Sequence, residues 1–253
     1  MPCPLGIASL PTSEGGIFMH RKPDTRLFKH PFSRDYWRLA IMECSDVRML
    51  CIAAVLTALR IAVKGASVPL GPNLYLTFGF IVNSVGSMVY GPVMAILASA
   101  ISDTVGAVLF PTGTYFFPFI FVEILGGFIF ALFYYRADIT PMRVLWGRFC
   151  VTLFCNILLS PIITYYYNWY IMGKSYEILS LPRMLKNWAL FPLQSLIIMV
   201  LFRSVLPFLN SRQLTYTKQT DIRMSRREWL IMALMLIISA AAIVLYYVWR
   251  GLR

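Results

Sequence analysis

The chain has 253 residues, of which 58% are hydrophobic and only 13% charged, with a net charge of +12. A soluble domain carries about 25% charged residues, so this composition excludes an ordinary water-soluble protein. The cations gather beside apolar runs, which marks orientation and contact with anionic lipid rather than nucleic-acid binding.

The first 46 residues hold Pro, Ser, Arg, Lys and His and no long apolar run. A signal peptide would show an apolar core of about 7–15 residues, so a cytoplasmic tail is expected over 1–46. Within it, "SRDYWRLAIMEC" reads as a short interfacial helix or a solvated leader. Blocks of spanning length follow at Met49–Ala66, Leu76–Tyr90, Pro92–Phe110, Tyr115–Tyr135, Val144–Tyr165, Trp188–Leu209 and Trp229–Trp249. A membrane helix needs about 20 apolar residues. A β-barrel would show segments of about 10 residues with alternating polarity, which this chain lacks. An all-α integral membrane protein is the expectation.

If every block spans, sixteen Lys and Arg fall on one side and six on the other. The richer side, counted with Arg136, Arg143 and Arg148 after the fourth block, is the cytoplasm by the positive-inside rule. The N-terminus is then cytoplasmic.

Ionisable residues inside spans are costly and mark functional candidates. Arg60 lies in the first block, Asp103 in the third and Glu123 in the fourth; Asn83, Asn156 and Gln194 add neutral polar groups. Ala54, Ala58 and Ala62 recur every four residues and share one helix face. Arg60 lies about 200° from Ala58, with Lys64 one turn further on the same side. The basic face should look into the bundle. The alanine face is open either to another helix or to packing within the chain. Asp103 and Glu123 pair structurally with Arg60, or else form the deep end of a pocket whose mouth holds Arg60, Lys64, Lys174, Arg183 and Lys186. Such a pocket suits a ligand with a flat hydrogen-bonding ring at one end and carboxylates at the other.

The stretch "LFPTGTYFFPF" (109–119) joins the third and fourth blocks. Two prolines stiffen it and Gly113 permits a tight turn beside Thr112. Tyr115 and Phe116 offer flat apolar faces. It is either a lid over an aromatic ligand or a belt that anchors helix ends.

No GxxxxGK[ST], HExxH or GxSxG occurs. The only histidines are His20 and His30, and the five cysteines form no CxxC pair, so no metal and no cofactor is expected. The halves show no obvious internal repeat, which weighs against a self-sufficient secondary transporter. A small bundle with a pocket and no motor points to a binding subunit that borrows energy.

The runs "AAVLTALRIAVKGASVPLGPNLYLTFGF", "YGPVMAILASAISDTVGAVLFPTGTYFFPF" and "LPRMLKNWALFPLQSLI" resemble the folate-family substrate-binding (S) components of energy-coupling factor (ECF) transporters. The likeness covers roughly 36–210, and "PLGPNL", "YGPV", "SDTVGA" and "FPTGTYF" are its most specific pieces. It implies a six-helix bundle in the cell membrane that is not an enzyme. It also implies capture of folate or a related vitamin from outside, and docking on a shared module of one transmembrane scaffold and two ATPases. By this resemblance Ala54, Ala58 and Ala62 face the scaffold, and the loops at 65–75 and 110–118 close the pocket. The expected layout is a tail over 1–46, a membrane domain over 47–209, a basic cytoplasmic linker over 210–228 and an additional hydrophobic helix over 229–253, which the six-helix relatives lack. Three other readings stand beside it: an S component for another vitamin or precursor, a membrane-embedded enzyme using Asp103 and Glu123 as an acid–base pair, and a non-catalytic scaffold.

Overall fold

A computed structural model describes residues 27–28, 31, 33–65, 67–71, 74–110, 115–173, 181–215, 217 and 225–251. Most of the expected tail and part of the 210–228 linker lie outside these.

Helix α1 spans Arg34–Glu43, with Ser33 as its cap accepting from the Tyr36 N–H. Helix α2 spans Val47–Gly65. A two-stranded antiparallel hairpin follows, β1 over Ser67–Gly71 and β2 over Leu74–Thr77. The expected second span therefore loses its first residues to β2, and helix begins only at Gly79.

The helical segment α3, Gly79–Leu109, is not one rod. Gly91 is non-helical, with φ 74° and ψ −179°. Asn83 and Ser99 lie eight residues either side of it, and a straight helix would hold them about 24 Å apart. Yet Asn83 Oδ1 and Ser99 Oγ each lie within 3.0 Å of the same nitrogen of Arg60. The chain folds back at Gly91 into two antiparallel limbs. Only glycine suits this corner, because its φ lies in the left-handed region and a Cβ there would stand 2.9 Å from the Tyr135 ring. Pro92 then opens the second limb, where its missing N–H costs nothing. The first limb, 79–90, rises only about 18 Å, well short of a hydrocarbon core of about 30 Å.

A 3₁₀ turn at Phe117–Phe119 leads into α4, Ile120–Tyr134. Thr140 caps α5, Pro141–Cys150. The chain continues in wider turns over Val151–Leu159, then as α6 over Ser160–Tyr167 and a last wide turn at Asn168–Met172. Gly173, at φ 61°, ends it. Helix α7 covers Leu181–Ser211 and α8 covers Arg226–Gly251. Among the described residues, Gly79–Leu109, Phe117–Tyr134, Pro141–Met172 and Asn187–Ser211 are long and apolar enough to cross a membrane.

The core sits towards the Gly91 end of the bundle, around Met88, Phe130, Tyr134, Val144, Ile198 and Phe202. Helix α1 closes that end. Tyr36 is buried and donates to the Ala131 carbonyl, while Glu43 accepts from Tyr135 Oη at 2.6 Å and pairs with Arg136 at 2.5 Å. Burial alone would lower the Arg136 pKa; Glu43 and Tyr135 outweigh it and hold the guanidinium above its usual range. Leu97, Ile101, Val105 and Val108 stand exposed along the second limb of α3, the apolar stripe a lipid-facing helix requires. Helix α8 attaches to α7 along a narrow strip in which Met232 is buried.

Candidate functional site

The three ionisable residues that the sequence places inside spans come together between α2, α3 and α4. Arg60 is 2% exposed. Its Nη1 donates to Asn83 Oδ1 at 3.0 Å and to Ser99 Oγ at 2.8 Å, and its Nη2 pairs with the Glu123 carboxylate. Lys64, one turn along α2, pairs with Asp103 Oδ1 at 2.7 Å and reaches Glu123 at 3.8 Å. One guanidinium thereby ties both limbs of α3 to α4.

Local sequence makes the approach possible. A Cβ at Gly127 would run into Ser99 Oγ and lie 3.2 Å from the Ala95 carbonyl, and one at Gly106 would stand 2.9 Å from Lys64 Cδ. Glycine at these two points lets α4 and the lysine stem close on the second limb of α3.

The four charges balance, but the two acids are not equally engaged. Asp103 is buried, and its Oδ2 has no hydrogen-bond partner among the described residues. The Glu123 side chain is 36% exposed although Arg60 opposite it is almost fully buried. The cluster therefore keeps unused acceptor capacity while both cations are committed.

Of the other expected site residues, Tyr115 is 42% exposed. Phe116 packs edge-on against Phe119 and against Tyr167 at 5.4 Å. Thr112, Gly113 and Lys174 lie outside the described residues, as do the side chains of Lys186 and Arg183. Ala54, Ala58 and Ala62 are all exposed on α2, while Ala53, Thr57 and Arg60 face inward.

Arg148 is a buried cation that sequence reasoning counts among loop cations. It lies within α5 and is 5% exposed. Its Nη2 donates to Gln194 Oε1 and its guanidinium stands 5.1 Å from the Phe80 ring centre. No carboxylate pairs with it among the described residues. The signal was present: Arg148, Thr152 and Cys155 recur at helical spacing, and all three are buried. Proximity to a run of arginines at the helix start concealed it.

The model of the ECF-type riboflavin transporter S component matches residues 45–206. The chain belongs to this family. It is 32% identical over 152 residues to the folate transporter FolT of Leuconostoc mesenteroides, spanning 59% of this chain and 81% of that protein. It is 29% identical over 127 residues to FolT of Clostridium novyi, spanning 50% and 72%. A crystal structure of FolT bound with folic acid aligns with a TM-score of 0.52 at 29% identity, over 60% of this chain and 89% of that one. The protein is thus an all-α, multi-pass membrane S component of a transporter. Helices α1 and α8 lie outside the matched span of this S component.

Proposed function

We propose that this S component captures folate from outside the cell and hands it over by docking on an ECF module of a transmembrane scaffold and two ATPases. The observation that carries the ligand is the orphaned Oδ2 of buried Asp103 beside the part-exposed Glu123. A pterin ring presents a ring N–H and an exocyclic amino group side by side, a donor pair that fits a carboxylate. The flavin ring of riboflavin, named in the matching family model, flanks its one N–H with two carbonyls. Those would meet a carboxylate oxygen with like polarity. The folate transporters among the relatives support the same choice.

Arg60 acts by fixing Glu123 and the fold of α3, and Lys64, committed to Asp103 at 2.7 Å, acts by orienting that carboxylate. Tyr115, Thr112 and Gly113 serve the lid, with Lys174 and Lys186 as mouth cations. The exposed alanine stripe serves the scaffold, since small residues allow close backbone approach. The N-terminus is cytoplasmic by the distribution of cations. The chain acts without catalysis: an acid–base pair needs one proton-bearing member, whereas Asp103 and Glu123 each face a cation.

The deciding experiment is calorimetric titration of the detergent-purified protein with folic acid, a pterin and riboflavin. Folic acid should bind most tightly and be recovered unchanged. Tight riboflavin binding without folic acid binding would sink the assignment, and a converted product would return the enzyme reading.

A further inference from the structure

A cation inside a membrane protein is expensive to bury and normally finds an anion. Arg148 has found none among the described residues. Its guanidinium meets a neutral amide oxygen, that of Gln194, and the face of Phe80, and its Nε has no acceptor. One helical turn further on the same face is Thr152, 2% exposed, whose Oγ1 is also without a partner. The threonine hydroxyl would ordinarily donate to the carbonyl four residues back. The wider turns that begin at Val151 remove that option. Asp103 Oδ2 is the remaining buried side-chain atom of this kind among the described residues. Two donors and one acceptor are therefore left without partners inside the bundle.

Arg148 and the ion cluster both touch the first limb of α3. Phe80, which carries Arg148, lies one turn from Asn83, which is bonded to Arg60. The position of a Cβ on Gly126 falls 3.8 Å from Cys155 Sγ and 3.9 Å from Asn83 Nδ2, so the Arg148–Thr152–Cys155 face and the ion cluster meet around α4.

We propose that Arg148 and Thr152 are the second half of the ring-binding site and donate to the acceptor edge of a 4-oxo pteridine, while Asp103 accepts from its donor edge. The assignment rests on the folate reading above. In such a ring the C4 carbonyl oxygen and N5 lie side by side, an acceptor pair that a guanidinium edge and a hydroxyl can satisfy together. Both stranded donors and the stranded acceptor then gain partners from one flat molecule. The site would reject a ring whose 4-position bears a donor, because two buried donors would confront it.

The test compares folic acid with its 4-amino (2,4-diaminopteridine) analogue by calorimetry on the full chain in detergent, for wild type, Arg148→Gln and Thr152→Val. The wild type should prefer the 4-oxo ligand by about tenfold to a hundredfold, the worth of one charge-assisted hydrogen bond. Each variant should shrink that preference several-fold, and the remainder reports the ring N–H that the 4-amino analogue lacks opposite Asp103. Thr152→Val removes only the hydroxyl and keeps the test open should Arg148→Gln fail to fold. An undiminished preference in the variants, or no preference in the wild type, overturns the assignment while leaving folate capture standing. A wild type that binds neither compound overturns folate capture and this assignment with it.

Discussion

Arg60 and Glu123 form an ion pair between α2 and α4 in which the cation is 2% exposed and the acid 36%. The pair is closed on the side of α3 and open on the other. Replacing the cation takes a partner from three groups at once: Glu123, Asn83 and Ser99. The sequence alone suggests that Arg60 holds a ligand's carboxylates, so that its loss would spare a pterin lacking them. Its burial changes that expectation. Arg60→Met should lower stability by about 3 kcal/mol, the low end for a broken buried pair because Glu123 keeps contact with solvent. It should weaken folic acid and pterin alike. Thermal unfolding in detergent and calorimetry with both ligands provide the check; a loss confined to folic acid would restore the carboxylate role.

Two neighbouring glycines should respond unequally to the same substitution. At Gly127 a methyl group would collide with Ser99 Oγ and crowd the Ala95 carbonyl at 3.2 Å. Gly127→Ala should cost about 1–3 kcal/mol through overpacking. At Gly126 the nearest atom is 3.8 Å away, an ordinary contact, and Gly126→Ala should unfold within about 0.5 kcal/mol of wild type. Equal melting temperatures for the two would mean that α4 does not approach α3 as described.

The proposed lid has a fixed end. Phe116 packs against Tyr167 at 5.4 Å, while Tyr115 beside it is exposed. An aromatic pair contributes about 0.5–1.5 kcal/mol beyond its buried area. Tyr167→Ala should release bound folic acid about twofold to tenfold faster in stopped-flow fluorescence, and Tyr167→Phe should behave as wild type. If release from Tyr167→Ala is unchanged, the 109–119 stretch is an anchoring belt and not a gate.

Docking should separate cleanly from capture. Ala58 is exposed in the middle of the alanine stripe, on the opposite side of α2 from Arg60. Ala58→Trp should keep ligand affinity within about twofold, roughly 0.4 kcal/mol. In cells that supply the ATPase module it should abolish uptake and reduce co-purification with that module. Normal uptake by this variant would remove the stripe from the docking surface.

The clasp at the Gly91 end is testable by itself. Glu43 on α1 accepts from Tyr135 and pairs with Arg136, which is 7% exposed. Glu43→Gln removes the charge that Tyr135 and Arg136 share on α1, so limited proteolysis should cut between α1 and α2 sooner than in wild type. Unchanged cleavage would mean that the apolar contacts of Tyr36, Trp37 and Ala40 hold the helix without Glu43.

The sequence by itself determined that this is a helical membrane protein. It also identified Arg60, Asp103 and Glu123 as polar groups in apolar surroundings, because helix length and the cost of burying charge are local properties. It determined the opposed faces of α2 as well, since 100° per residue puts Ala58 and Arg60 on different sides wherever the helix lies. Only the tertiary structure decided which charges meet. Arg60 could have paired with either acid, and the fold-back at Gly91 brought Asn83 and Ser99 to one nitrogen atom and Asp103 to Lys64. The strand at Leu74–Thr77 was hidden because a short apolar run reads alike as strand or helix. Arg148 was hidden because a cation near the start of a span looks like an orientation signal. Whether it faces lipid headgroups or the bundle depends on how α5 is rotated against α3 and α7, and that rotation is set by long-range packing rather than by neighbours in the chain.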